Sequence, residues 1–175
     1  AEIGMLFQGA ALFDSMTVGQ NIGFALKEAQ RRPSEEIRER VIEVAQKLQV
    51  DEILNAMPSE VSNGQKKRVA LARALITRPK IMIYDEPTTG QDPIMMRRVD
   101  DMIVEASQSF DITSIVISHD MVSAFRIAHQ ITMIHQGRVL VSDTSKRVKA
   151  YPDPEVRRFI YAGADRLSEG PRTSS

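Results

Sequence analysis

"MIYDEPTTGQDP", residues 82–93, is an apolar run that ends on adjacent carboxylates, Asp85 and Glu86, and breaks at Pro87. Together with Ile81 it reads as a short buried strand, Ile81 to Tyr84, closed by turn-forming residues. From Pro93 to about Gln108 the pattern is helical, and "ITSIVISH", residues 112–119, reads as a second buried strand. Strand, helix and strand at this spacing predict a parallel sheet. In such sheets ligands gather beyond the carboxyl ends of the strands. Two strands deliver polar groups to that edge: Asp85 with Glu86, and His119 with Asp120.

Upstream, "PSEEIRERVIEVAQKLQV" (33–50) places Ile37, Val41, Val44, Ala45 and Leu48 on one face, with Pro33 and two glutamates suited to a helix start. A second helix is expected from Ser62, because Ser62-Asn63-Gly64-Gln65 has the S-x-x-Q form in which serine and glutamine cap the first turn; it should run to about Thr77. Lys66-Lys67-Arg68 reads as a solvated face of that helix rather than a nucleic-acid patch. Downstream, Ile131–His135 and Arg138–Ser142 form an expected hairpin turning at Gln136-Gly137. "YPDPEVRRFIYAG" (151–163) reads as a short helix, and the polar end as a frayed tail.

The bulk composition narrows the function. A chain of 175 residues with 42% hydrophobic residues can build a core. Its formal net charge is zero, so no overall basic field points to nucleic acid or anionic lipid. Cysteine is absent, which excludes disulfides and thiolate metal sites and suits a reducing, cytoplasmic setting. No apolar stretch approaches the ~20 residues that span a bilayer; if the protein serves a membrane, other chains do the spanning. The opening "AEIGMLFQ" is apolar, with no start methionine, turn or cap before it, and so reads as the inside of a domain.

The two acids can take different tasks. An aspartate at a strand end can hold Mg2+ through water, while the next residue, on a diverging backbone, can polarise an attacking water. Each feature also has a plain structural reading: a strand end leaving the core, a helix cap, a satisfied histidine.

The order of the features decides more than any one of them. Gln8, Ser62-Asn63-Gly64-Gln65, the apolar run into Asp85-Glu86, Gln91-Asp92 and His119 together resemble the ATP-binding cassette (ABC) ATPases over nearly the whole chain. The resemblance implies an α/β fold, a P-loop NTPase-like parallel sheet core with an α-helical signature subdomain. It makes residues 1–162 a partial ATPase domain, with about 15–78 helical, 79–162 the remaining core and C-terminal region, and 163–175 a flexible tail. It implies a Q-loop glutamine at Gln8, touching Mg2+ and water, and a signature at Val61 to Gln65. It further implies a Walker B strand ending at the Mg2+-holding Asp85, a catalytic Glu86, a D-loop from Thr89 to Asp92 and a switch histidine at His119. ATP and Mg2+ are the cofactors it implies. The signature would contact ATP held by a second copy in a head-to-tail dimer.

Two departures stand out. The chain holds no G-x-x-x-x-G-K-[ST] phosphate loop, which in the family lies upstream of the Q-loop glutamine, so an N-terminally truncated piece that binds ATP poorly is expected. The signature is "VSNGQ" where the family usually has LSGGQ, and Asn63 brings a side chain where glycine leaves room. "IGMLFQGAALFDSMTVGQNIGFAL", "MPSEVSNGQKKRVALARAL" and "YDEPTTGQDPI" are similar to the Mla-type ATPases of phospholipid-trafficking transporters that work with MCE-domain proteins. That branch implies integral membrane permease subunits and an MCE-domain lipid-binding protein as partners, no nucleic acid, and a cytoplasmic place on the inner face of the membrane. Other readings are an ATPase of another ABC importer or exporter, a soluble ABC protein acting on DNA or ribosomes, a non-hydrolysing scaffold, and an unrelated hydrolase using the acid pair.

Overall fold

The strand read at residues 81–84 forms the middle of a parallel sheet. The structure, a computed structural model, describes residues 2–7, 9, 11–30 and 33–168. It divides into two compact units, residues 1–117 and 118–175.

In the first unit, β1 (Ile3–Leu6), β2 (Ile81–Asp85) and β3 (Thr113–Ile117) pair in parallel in that order. The register sets Met5 beside Ile83 and Ile83 beside Ile115, with Asp85 beside Ile117 at the carboxyl edge. Side chains alternate across a pleated sheet, so the two faces differ. Leu6, Met82 and Tyr84 are buried on one face, while Ile3, Met5, Ile115 and Ile117 are exposed on the other, in the row that Asp85 continues. The expected second strand, 112–119, is shorter than its apolar pattern: Ser118 and His119 leave the ladder.

Helices α1 (Val18–Gln30), α2 (Ser34–Lys47) and α3 (Asn63–Leu75) pack on one another. The apolar face predicted for α2 is the one it hides: Val41, Val44, Ala45 and Leu48 are buried. Gly23 lets α1 and α2 approach closely, since a Cβ there would lie 3.1 Å from methyls of both Ile37 and Val41. Helix α3 buries Val69, Ala70, Leu71, Ala72 and Leu75 and also packs on β1, so the helical segment and the sheet share one unit. Truncating a buried leucine such as Leu71 in this packing costs about 2–5 kcal/mol. The crossover from β2 to β3 is α4 (Pro93–Phe110), on which Val99, Met102, Ile103 and Ala106 are buried.

The second unit begins with α5 (Met121–Ile127) and the hairpin β4 (Gln130–His135) with β5 (Arg138–Thr144). Gln136 and Gly137 both have positive φ, +47° and +73°, as a tight twist-matched hairpin turn requires. Helix α6 (Ser145–Lys149) follows. Helix α7 (Pro154–Ser168) is longer than the short helix expected and takes in part of the segment read as a tail. Between Pro154 and Ser168 nothing stops it but one interior glycine, Gly163. Ile131, Met133, Val141, Val148 and Val156 form this unit's core.

Candidate functional site

At the end of β2 the backbone separates the two acids. Asp85 is the last ladder residue, half-buried, and keeps the pleat. Glu86 has φ +48°, a left-handed conformation uncommon for a non-glycine residue. Its amide still donates to the Ile117 carbonyl at 2.9 Å. The side chain is held as well: Thr89 Oγ1 donates to Glu86 Oε2 at 2.6 Å. The Thr89 amide reaches the Glu86 carbonyl at 3.3 Å, the Gln91 amide reaches the Thr88 carbonyl at 3.2 Å, and Gly90 takes φ +74°. The segment between the strand and α4 is therefore a closed turn with the glutamate carboxylate fixed at its head. Asp92 ends it as the N-cap of α4, accepting from the amides of Ile94 and Met95 at 2.9 and 3.0 Å.

Ser62 caps α3 as its sequence foretold. Its hydroxyl accepts from the Gln65 amide at 3.3 Å, and Gln65 Oε1 accepts from the Ser62 amide at 2.9 Å. A helix leaves its first amides without intrahelical acceptors; with the Gln65 amide capped, those of Asn63 and Gly64 are the ones that remain open to a ligand. Asn63 is exposed. A Cβ at Gly64 would meet only Met95 Cε, at 3.8 Å, so the fold itself leaves room for a side chain there.

The solvated face expected at residues 66–68 is corrected. All three side chains are half-buried, and two cross to other segments. Arg68 Nη1 donates to the Leu48 carbonyl at 3.3 Å, and Lys67 Nζ donates to the Pro87 carbonyl at 2.8 Å. Burial holds the Lys67 ammonium below the ordinary lysine value. Spacing along a helix reports which face a residue occupies, not that the face is covered by the next loop, and so this contact left no mark in the sequence.

The expected Gln8 lies outside the described residues. Further along, the buried Asn21 accepts from the Phe13 amide at 2.8 Å and donates to the carbonyls of Phe13, Met16 and Thr17. Arg73 of α3 donates to the Ala11 carbonyl at 2.9 Å and lies over the Phe13 ring. His119 belongs to the second unit, where it is exposed; beside it, Asp120 caps α5 by accepting from the amides of Val122 and Ser123. A polar cleft among Glu39, Arg40, Glu43 and Arg78 lies on the helical part and includes none of the strand-end groups.

Among the described residues, no three His, Asp or Glu side chains gather as a metal cage. Asp85 suits Mg2+ all the same, because that ion keeps several waters and is commonly bound by one or two carboxylates plus substrate phosphates. The open amides at the start of α3 suit a phosphate.

A parallel α/β core with divergent acids at its carboxyl edge and a capped, phosphate-suited helix is the arrangement of a nucleotide-handling domain. Comparison with known proteins is more specific. The family described as "ABC transporter" matches residues 1–89. The "Fe(3+) ions import ATP-binding protein FbpC" of Photorhabdus laumondii is 36% identical over 154 residues, 88% of this chain and 44% of that protein. The "Methionine import ATP-binding protein MetN" of Lactobacillus acidophilus is 34% identical, covering 93% of this chain and 46% of that one. The "Intermembrane phospholipid transport system ATP-binding protein MlaF" of Escherichia coli K12 is 32% identical over 169 residues, 97% of this chain and 61% of that one. Among solved structures, cbiO1 from Clostridium perfringens, part of the ABC transporter complex cbiONQ, matches with TM-score 0.79 and 31% identity over 95% of this chain and 65% of that chain. The chain belongs to the ABC transporter family and has the fold of its ATPase domain. It spans 44–61% of the length of these sequence relatives.

Proposed function

We propose that the chain is part of the ATP-hydrolysing subunit of an ABC transporter, and that the transporter moves phospholipid with permease subunits and an MCE-domain partner. The observation that carries the catalytic part is the divergence of Asp85 and Glu86: one acid continues the strand, and the other is turned away and fixed by Thr89. In this reading Asp85 holds Mg2+ through water, and the ion, when bound, neutralises the charge that develops on the phosphates. Glu86 accepts a hydrogen bond from the attacking water and polarises it, with Thr89 fixing the carboxylate's aim. Ser62, Asn63, Gly64 and Gln65 present the start of α3 to the γ-phosphate of ATP held by a second copy, head to tail. The motif assigns Gln8 to Mg2+ and the attacking water, His119 to the γ-phosphate or that water, and Asp92 to the D-loop between the copies.

The relatives' names span iron, methionine and phospholipid. The phospholipid reading is supported by the stretches quoted from the sequence and by the match to the Escherichia coli MlaF protein over 97% of this chain, against 93% for MetN and 88% for FbpC. It is tested by co-expressing the full-length protein with its permease and MCE-domain candidates and following ATP-dependent transfer of labelled phospholipid between vesicles. Transfer that stops in Glu86→Gln supports the reading. A stable, ATP-hydrolysing complex that moves no phospholipid but takes up another solute overturns the lipid assignment and leaves the ATPase assignment in place.

A further inference from the structure

The contact between Lys67 and Pro87 joins two elements that the proposed mechanism keeps apart. Helix α3 starts at the amides of Asn63 and Gly64, which serve the nucleotide of the other copy, and Lys67 lies one turn further in. Pro87 immediately follows Glu86, which acts on the chain's own nucleotide. The lysine ammonium donates to the Pro87 carbonyl at 2.8 Å from a half-buried position. The turn it touches is held by its own bonds, Thr89 to Glu86 and Gln91 to Thr88, and by the Glu86 amide on the Ile117 carbonyl, and the Lys67 ammonium adds a tie from α3 at the Pro87 carbonyl. Glu86 itself sits at φ +48°, a conformation that persists only where surrounding contacts impose it. Helix α3 is stiff on the other side of the contact, being capped at Ser62 and packed into the core by Val69, Leu71 and Leu75.

From this geometry we infer that Lys67 is a positioning residue for hydrolysis: it ties the signature helix to the turn that aims Glu86, so that docking of the partner copy's nucleotide on α3 is felt at the chain's own catalytic acid. The inference rests on the ATPase reading above. An ammonium is required because it can donate to the carbonyl from inside a half-buried gap, and a methionine of similar length fills the gap without donating. Since Lys67 touches no nucleotide in this scheme, its loss acts on the chemical step and not on ATP binding.

The test uses the full-length protein in its assembled transporter, with Lys67→Met, Lys67→Arg and Glu86→Gln measured side by side. Lys67→Met is expected to lower kcat about tenfold with the KM for ATP within about twofold, and Lys67→Arg to recover most of the loss. Hydrogen exchange should quicken in Lys67→Met at residues 86–91 while the amides of α3 stay protected. The inference is overturned by wild-type kcat in Lys67→Met, by a rise in KM that accounts for the whole loss, by no recovery in Lys67→Arg, or by exchange that quickens throughout the unit. If Glu86→Gln keeps its turnover, the ATPase reading itself has failed; if it loses turnover while Lys67→Met does not, only the role of Lys67 has.

Discussion

Glu86, the proposed catalytic acid, sits in a backbone conformation that costs on the order of 1–3 kcal/mol for a non-glycine residue. The cost is offset by its amide bond to Ile117 and by the Thr89 hydroxyl on its carboxylate. Thr89→Val in the full-length protein should therefore reduce kcat by roughly three- to tenfold with the KM for ATP unchanged, since only part of the about 1.5–3 kcal/mol of a hydrogen bond to a charged group goes into aiming the carboxylate. A higher KM at wild-type kcat would contradict this. Adjacent acids after an apolar run, on diverging backbone, were legible; the left-handed φ that carries the divergence was not, because φ at Glu86 is set by the turn through Gly90 and not by the dipeptide. Tyr84, one residue before the acids, is fully buried, and burial pushes its phenol from 10.0 up to about 12. Ser114 lies on the neighbouring strand, yet among the described residues neither hydroxyl reaches a partner in hydrogen-bond geometry. A phenol that ionises later in the folded state gives stability that is present below pH 10 and is lost as pH rises from about 10 to about 12. The loss amounts to roughly 2–3 kcal/mol. Tyr84→Phe should be neutral or slightly stabilising at pH 7 and should flatten that alkaline decline in urea unfolding; an equally steep decline would show that Tyr84 is not its source.

Helix α3 is the element that its sequence specifies most fully. Ser62 and Gln65 form the predicted capping box, and the helix stops at Leu75, close to the expected end. Helix α1 carries the same kind of signal at Thr17-Val18-Gly19-Gln20, where the Thr17 amide donates to Gln20 Oε1 and the Gln20 amide to Thr17 Oγ1. Gly19 and Gly23 weaken the helical pattern that follows this cap. Strand β1 is only Ile3–Leu6, too short for alternation to show. The signature assignment predicts opposite effects at neighbouring positions of α3 in the full-length protein. Gly64→Ala leaves the thermal midpoint unchanged or slightly raised, since its Cβ has room beside Met95, but weakens ATP-driven dimerisation by about tenfold or more through obstruction of the partner's phosphate. Ser62→Ala lowers stability by about 1 kcal/mol and dimerisation with it. Asn63→Gly raises turnover or dimer affinity by a factor of a few, equivalent to about 1 kcal/mol or less. Sedimentation of each variant with ATP decides: wild-type dimerisation in Gly64→Ala removes the phosphate from α3, and a loss in Asn63→Gly as large as in Ser62→Ala makes the asparagine amide itself a ligand.

At the scale of the molecule, the parallel sheet with its polar carboxyl edge was legible from strand, helix and strand alone. The division after Ile117 was not, because the apolar pattern of 112–119 runs straight across it. Ligand binding raises stability only in proportion to affinity for the folded form. With no G-x-x-x-x-G-K-[ST] among its 175 residues, this chain by itself should show no shift in thermal midpoint with millimolar Mg-ATP, and a clear shift would mean that another segment cradles the phosphates. In the proposed mechanism the adjacent acids divide the work, Asp85 on the ion and Glu86 on the water. It is tested most directly by ATP affinity and steady-state turnover in full-length Glu86→Gln. Near-wild-type ATP binding with turnover reduced by at least about a hundredfold is expected, because the amide cannot polarise water; turnover at the wild-type rate would overturn this division of roles.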